Sequence, residues 1–324
     1  MKKLQLTALC FLIFSVFAFG QGGDLKSGMT GAKFLSVPVS VRGAAMGEAF
    51  VAMADDPSSV FWNVAGLTQI KGNSFYASNT QWVADIQFEA AAITLDASRL
   101  GKIVLHGRVM HMGEMRVRTA FAPDGTGEMF TVQSIAAGVG WAKKMTEQFS
   151  MGLNFNFIRE EYYGITADGW GVDVGSIYDT RWRGMKIGMS MLNFGPDMYF
   201  DGTYRKWHDI EEPGVATEYK EFPIPLTFRF GITFNVLEIG NSALVLVADA
   251  THPADNAETV NFGLELPLMN MLFLRAGYKF GGDEDGISAG AGINVPFINT
   301  SIDVAYSDMG LLGNVMRMSV GLQF

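Results

Sequence analysis

The stretch Val315–Phe324, VMRMSVGLQF, closes the chain and decides how the rest is read. Met316, Met318, Val320, Leu322 and Phe324 are apolar, and Arg317, Ser319, Gly321 and Gln323 between them are small or polar. Strict alternation of this kind is the signature of a β-strand with two chemically different faces. Chain ends normally fray into water and carry polar residues, whereas this strand keeps its pattern to the last residue. A strand so exposed would be a template for aggregation unless both of its edges were paired.

The same alternation recurs upstream. In FSMGLNFNF, Phe149, Met151, Leu153, Phe155 and Phe157 oppose Ser150, Gly152, Asn154 and Asn156. In PLTFRFGITFNV, Leu226, Phe228, Phe230, Ile232, Phe234 and Val236 oppose Thr227, Arg229, Gly231, Thr233 and Asn235. Two architectures fit such faces. Soluble antiparallel sandwiches alternate, but their strands average about five or six residues. Here the strands run to roughly ten, the length a tilted strand needs to cross a bilayer. Their polar faces carry Gly, Ser, Thr and Asn rather than Lys and Glu, which suits a crowded or wet lumen.

The pattern predicts strands over 73–82, 86–96, 102–112, 129–142, 148–160, 168–179, 184–194, 224–236, 242–250, 258–267, 271–280, 286–295, 299–307 and 315–324. That makes fourteen, an even number, as barrels of the bacterial outer membrane have. Segment 242–250 is apolar on both faces. Short connections are expected at 97–101, 143–147, 180–183, 237–241, 268–270 and 296–298, all on one side. The longer ones, 113–128, 161–167, 195–223 and 308–314, fall on the other. Short periplasmic turns and longer outer loops give this asymmetry. The fold class expected is therefore all-β, a 14-stranded antiparallel transmembrane barrel. Closure answers the opening problem, because the last strand pairs with the first.

Composition agrees. Of 324 residues, 48% are hydrophobic and 18% charged, below the usual charged share of about 25%. The net charge of −9 argues against nucleic acid as a partner. Lys2 and Lys3, the apolar run Leu4–Phe19 and the small residues Ala18 and Gly20 read as a secretory signal over 1–20, short for a membrane anchor. Cys10, the single cysteine, lies inside that run after Leu9, so no lipoprotein box is present. Loss of the leader takes away both lysines and the cysteine, leaving no disulfide within the chain, a profile of the bacterial envelope.

Residues 21–72 do not alternate. They are rich in Ala, Gly and Met, and they are expected to form a plug inside the barrel or a cap at its periplasmic mouth. Ala44–Met53 reads as a short helix and DDPSS, from Asp55, as a turn or cap. The stretch GAKFLSVPVSVRGAAMGEAFVAMADDPSSVFWNVAGL, Gly31–Leu67, resembles the N-terminal signature of the PorV/PorQ family, which belongs with the FadL-like outer-membrane barrels. The residues that carry the signature are Asp55, Asp56, Pro57, Phe61, Trp62, Asn63, Gly66 and Leu67. The family pattern Asn-Pro-Ala-Gly-Leu stands here as Asn63-Val64-Ala65-Gly66-Leu67, without the proline.

The resemblance implies two functions, of which a non-enzymatic role in protein secretion is the one expected and transport of hydrophobic small molecules the alternative. PorV-type members serve type IX protein secretion, so secreted cargo proteins and other secretion components would be partners. FadL-like members move hydrophobic molecules such as long-chain fatty acids, so an apolar ligand would be. The terminal Phe324 resembles the signal read by the barrel assembly machinery. Outer-membrane lipid is the remaining partner expected, and the bacterial outer membrane the location.

No catalytic site is expected. His106 and His111 are five apart on one strand and point to opposite faces, while His208 and His252 fall in outer loops. No nucleophile, base and orienting group can be named together. GGDEDG at 281–286 offers oxygen ligands of the kind calcium takes, but it lacks the twelve-residue spacing of an EF-hand and reads as an outer turn with solvated charges. No cofactor fingerprint is present. Trp82, Trp141, Tyr162, Tyr163, Trp170, Tyr178 and Trp182 lie near strand ends, where interfacial girdles place aromatics. The loop 195–223 carries Tyr199, Phe200, Tyr204 and Trp207, a candidate outer binding surface or a cluster packed on itself.

Overall fold

The computed structural model describes residues 28–205, 216–239, 242–269, 271–282 and 286–324. The expected leader 1–20, Trp207, His208 and the acids of the 281–286 turn lie outside them.

Fourteen strands close into an antiparallel barrel. They are β1 Ser74–Gln81, β2 Gln87–Asp96, β3 Lys102–His111, β4 Val132–Lys144, β5 Phe149–Tyr162, β6 Ile165–Asp179 and β7 Lys186–Phe194. The circuit continues with β8 Thr227–Ile239, β9 Ser242–Pro253, β10 Thr259–Leu268, β11 Leu272–Phe280, β12 Gly286–Val295, β13 Thr300–Asp308 and β14 Asn314–Gln323. Each strand pairs with its neighbour in chain order, and β14 closes on β1 with Ala77 opposite Val320. Beyond the strand itself, Phe324 and Asn73 exchange backbone hydrogen bonds at 3.0 and 2.9 Å. Both edges of the last strand are thus satisfied to its final residue.

The apolar faces point outward. Met316, Met318, Val320 and Leu322 are exposed while Arg317 and Ser319 are buried, and the same holds for Leu153, Phe155 and Phe157 against Asn154 and Asn156. An apolar exterior over a polar interior is the arrangement hydrocarbon selects.

Several expectations shift. Residues 161–167 do not form a longer loop: β5 and β6 run on until the two-residue turn Tyr163–Gly164 joins them. Both turn residues have positive φ, 53° and 76°, as a tight hairpin turn matched to strand twist requires. The strand expected over 129–142 begins its barrel pairing at Val132, because Met129–Phe130 pairs instead with Met115–Arg116 in the long outer loop. His252 sits in β9 rather than in a loop. Trp82 does not face lipid; the Arg317 guanidinium lies 5.6 Å from its ring.

The N-terminal segment lies in the lumen. Its helix α1 covers Val41–Ala45, not Ala44–Met53. Ser40 caps it by accepting from the Gly43 N–H. Gly47 and Glu48 then adopt φ of 65° and 68°, which reverses the chain. The N–H groups of Phe50 and Val51, which a longer helix would use internally, go to the Asp249 carboxylate at 2.6 and 2.8 Å.

Candidate functional site

The lumen has two chemically different sides. Against β2–β6, Phe34, Phe61, Val64 and Leu67 of the N-terminal segment pack on Phe88, Val104, Ala136 and Ile158 of the wall. Against β8–β14 ionic contacts join apolar ones such as those of Val41 and Ala45 on Ala305. Arg42 forks onto Glu265 with bonds of 2.7 and 2.8 Å and reaches Asp55 at 2.5 Å. Glu265 also accepts from Arg275 at 2.6 Å, and Arg275 continues to Asp303 at 2.5 Å. Lys279 holds Glu48 at 3.0 Å. Each of these seven charges has a partner, which is the condition for burying charge at all.

The eight signature residues come together. Asp56 caps the 3-10 turn Pro57–Phe61 by accepting from the Ser58 N–H at 2.8 Å. Asn63 caps Val64–Gln69, accepting from Ala65 while its amide donates to the carbonyls of Val51 and Ser176 at 2.9 and 3.0 Å. Val64 occupies the first helical position, where proline is favoured but where its missing N–H is not needed. The turn therefore forms without it. Trp62 is buried beneath the Arg229 guanidinium, 4.2 Å from the ring centroid, and meets Phe50 edge-on. Phe61 packs edge-on against His106. A Cβ on Gly66 would overlap the Ala54 carbonyl, so only glycine fits that crossing.

Wall glycines admit the segment in the same way. A side chain on Gly277 would overlap the backbone of Met46 and Gly47, and one on Gly188 would come within 2.8 Å of Val51 and Ala52. The doubly apolar strand β9 also has its explanation here: Val247 packs inward on Met46, Phe50, Val51 and Trp62, while alternate residues face lipid.

At the outer mouth the long loop folds over the start of the segment. Phe222 packs on Gly31, whose N–H donates to Pro223 at 3.0 Å. Phe200 meets the rings of Tyr162, Tyr219 and Phe222 at 5.4–5.9 Å, and Tyr204 stacks on Tyr219. Tyr199 is exposed. The loop's aromatics thus pack largely on one another. Asp255, buried, accepts from Thr30 and from Lys33, the latter at 2.5 Å. Burial pushes its carboxyl up, but the bonds from Lys33 and Thr30 outweigh that and hold it below the ordinary carboxylate range.

The alternation did not reveal an outward groove of about 820 Å³ over β6–β11. One cross-strand row, Ser176, Met189, Phe230, Ala250, Val260 and Phe280, runs along its lining and is apolar from Met189 onward. A single backbone layer separates it from the N-terminal segment: on the inner face of this part of the wall Gly188 lies against Val51 and Ala52, and Gly231 against Val51. His252 and Glu258, paired at 2.9 Å, stand at the groove's upper edge.

No protein-family model and no curated protein matches the sequence. Solved structures do match the fold. The toluene transporter TbuX of Ralstonia pickettii superposes with a TM-score of 0.56 at 12% identity, covering 88% of this chain and 98% of its own. A FadL homologue of Pseudomonas aeruginosa gives 0.59 at 13% identity over 89% and 99%. The toluene transporter TodX of Pseudomonas putida gives 0.57 at 12% identity over 87% and 96%. The fold is that of the FadL-like outer-membrane barrels, fourteen strands with a short N-terminal segment.

Proposed function

We propose that this FadL-like barrel passes hydrophobic small molecules across the bacterial outer membrane, without chemistry on them. The apolar groove over β6–β11 carries the reading. It is of ligand size, since binding cavities span about 300–1,000 Å³, and it lies one backbone layer from the plug. A compound dissolved in the membrane reaches Phe230 and Ala250 from the hydrocarbon side. Withdrawal of Phe50–Ala54 from Gly188 and Gly231 then frees the inner face at the same level. The similar structures named as toluene transporters support an aromatic or aliphatic substrate of modest size.

Proteoliposomes holding the purified barrel test this. Uptake of radiolabelled toluene or a long-chain fatty acid should exceed that of empty vesicles, and Ala250→Trp, which fills the groove, should lower it about tenfold. Uptake no faster than in empty vesicles would refute the proposal.

A second reading, a PorV-type adaptor of type IX secretion, is favoured by the closeness of the plug. Its Arg42 network and its glycine contacts leave the lumen filled, as suits a barrel that docks proteins rather than conducts. The Gly31–Leu67 resemblance supports it too. Co-purification of a cargo C-terminal domain in mild detergent, with loss of secretion on gene deletion, would favour it over transport.

A further inference from the structure

The short-turn end of the barrel carries a cavity of about 520 Å³ between the exit of the plug, the β2–β3 turn and the end of β4. Five cations line it, Lys71, Arg99, Lys102, Lys143 and Lys144, against the single carboxylate of Asp96. This is a concentrated positive site on a chain whose net charge is −9.

The cavity is built around one fixed cation. Lys102 is buried and donates to Asp96 and to the Gly72 carbonyl, each at 2.8 Å, which ties the plug's exit to the first hairpin. Asp96 is further engaged by the Ser98 N–H at 2.8 Å. The carboxylate is therefore used up by its own hairpin. Among the described residues, Lys71, Arg99, Lys143 and Lys144 have no ion-pair partner. Four cations without an ion-pair partner along the lining of one hollow call for an anion.

The surroundings say which kind. Leu95, Leu100 and Met145 are exposed beside the cavity, and the outward-facing Trp141 donates its indole N–H to the Leu100 carbonyl at 2.7 Å. Indole rings anchored in this way sit at headgroup level, with apolar neighbours dipping into the acyl region. The cations thus lie where lipid phosphates lie, and the outward rows of β2–β4 continue from them as an apolar track through Leu105 and Val139.

We propose that this cavity binds the headgroup of an anionic glycerophospholipid of the periplasmic leaflet, with Lys71, Arg99, Lys143 and Lys144 supplying the positive charge around the phosphate. Its acyl chains lie along Leu95, Leu105 and Val139. The bound lipid braces the junction where the plug enters β1, and the site stands whether or not the barrel transports hydrophobic compounds.

Native mass spectrometry of the purified barrel, equilibrated with phosphatidylglycerol or with phosphatidylcholine of identical chains, tests the site. Phosphatidylglycerol should be retained about tenfold more, and raising the salt should release it selectively, since such contacts are screened over a Debye length. Lys143→Gln with Lys144→Gln, and separately Lys71→Gln with Arg99→Gln, should weaken retention about fivefold per charge removed. All four side chains lie at the rim, and unchanged heat-modifiable gel mobility verifies folding. Equal retention of the two lipids, or retention untouched by salt in the parent protein, overturns the proposal. Displacement of the lipid by millimolar inorganic phosphate would assign the site to a free anion instead, and equal displacement by a polyglutamate peptide would assign it to an acidic protein segment.

Discussion

Replacing Arg42 with alanine should unlatch the plug without unfolding the barrel. Arg42 makes three charge-assisted bonds, two to Glu265 and one to Asp55, and is mostly buried. Breaking a buried pair by removing one member costs about 3–5 kcal/mol. The lower end applies, because Glu265 keeps Arg275 as a partner and Asp55 is 37% exposed and can be solvated. A loss of about 3 kcal/mol raises the population of the released plug roughly 150-fold. Since the native cysteine falls within the expected leader, a single reporter can be added at buried Ser59, as Ser59→Cys, in both backgrounds. Maleimide labelling under conditions where reclosing outpaces reaction reads the open fraction directly. The Arg42→Ala protein should label about two orders of magnitude faster than its parent. Asp55→Asn, which removes one half-exposed contact worth about 1 kcal/mol or less, should label no more than about fivefold faster. Equal rates for Arg42→Ala and its parent, or a larger effect from Asp55→Asn, would refute the assignment of Arg42 as the latch.

Gly277→Val drives a branched side chain into the Met46–Gly47 backbone, which cannot move aside as a flexible side chain could; the barrel should still close, but Ser59→Cys labelling should approach that of an unplugged protein. The outer tether from Lys33 to Asp255 follows pH. A carboxyl held below its ordinary value contributes stability that is complete above about pH 4 and is lost as pH falls through the depressed value. A spin label on Met29→Cys should therefore be immobile from pH 8 to 5 and mobile only in stronger acid, and mobility appearing at pH 6 would count against the tether. Deleting Phe324 removes both backbone bonds to Asn73 as well as the outward ring; the yield of heat-modifiable barrel in cells should fall severalfold, while refolding in detergent should change little if the residue acts chiefly as an assembly signal.

The strands were legible because their two faces answer to two solvents. Phe155 and Asn154 differ in chemistry whether or not the fold is known, and all fourteen strands lie within a few residues of their expected positions. The closure of β14 on β1 was legible from Phe324 for the same reason. What misled was local. Tyr163 and Gly164 looked like part of a loop after a strand expected to end at residue 160, yet β5 and β6 continue as a hairpin held by their own ladder. Ala44–Met53 looked helical because Ala and Met are good helix formers, but Asp249, about two hundred residues away, offers the N–H groups of Phe50 and Val51 a better acceptor.

The alternating pattern by itself determined a fourteen-stranded wall, its inside and outside, and its closure, because side-chain periodicity along a strand is a local property. The tertiary structure alone decided the path of the plug, the Arg42–Glu265–Arg275 chain, the groove over β6–β11 and the basic cavity at Lys102. Each joins residues far apart in sequence, and the path of the plug depends on which glycines face the lumen opposite a backbone, a fact no spacing along the chain encodes. Gly188, Gly231 and Gly277 read as small residues on a polar face; only their contact with Val51, Ala52 and Met46 makes them the places where plug and wall fit together.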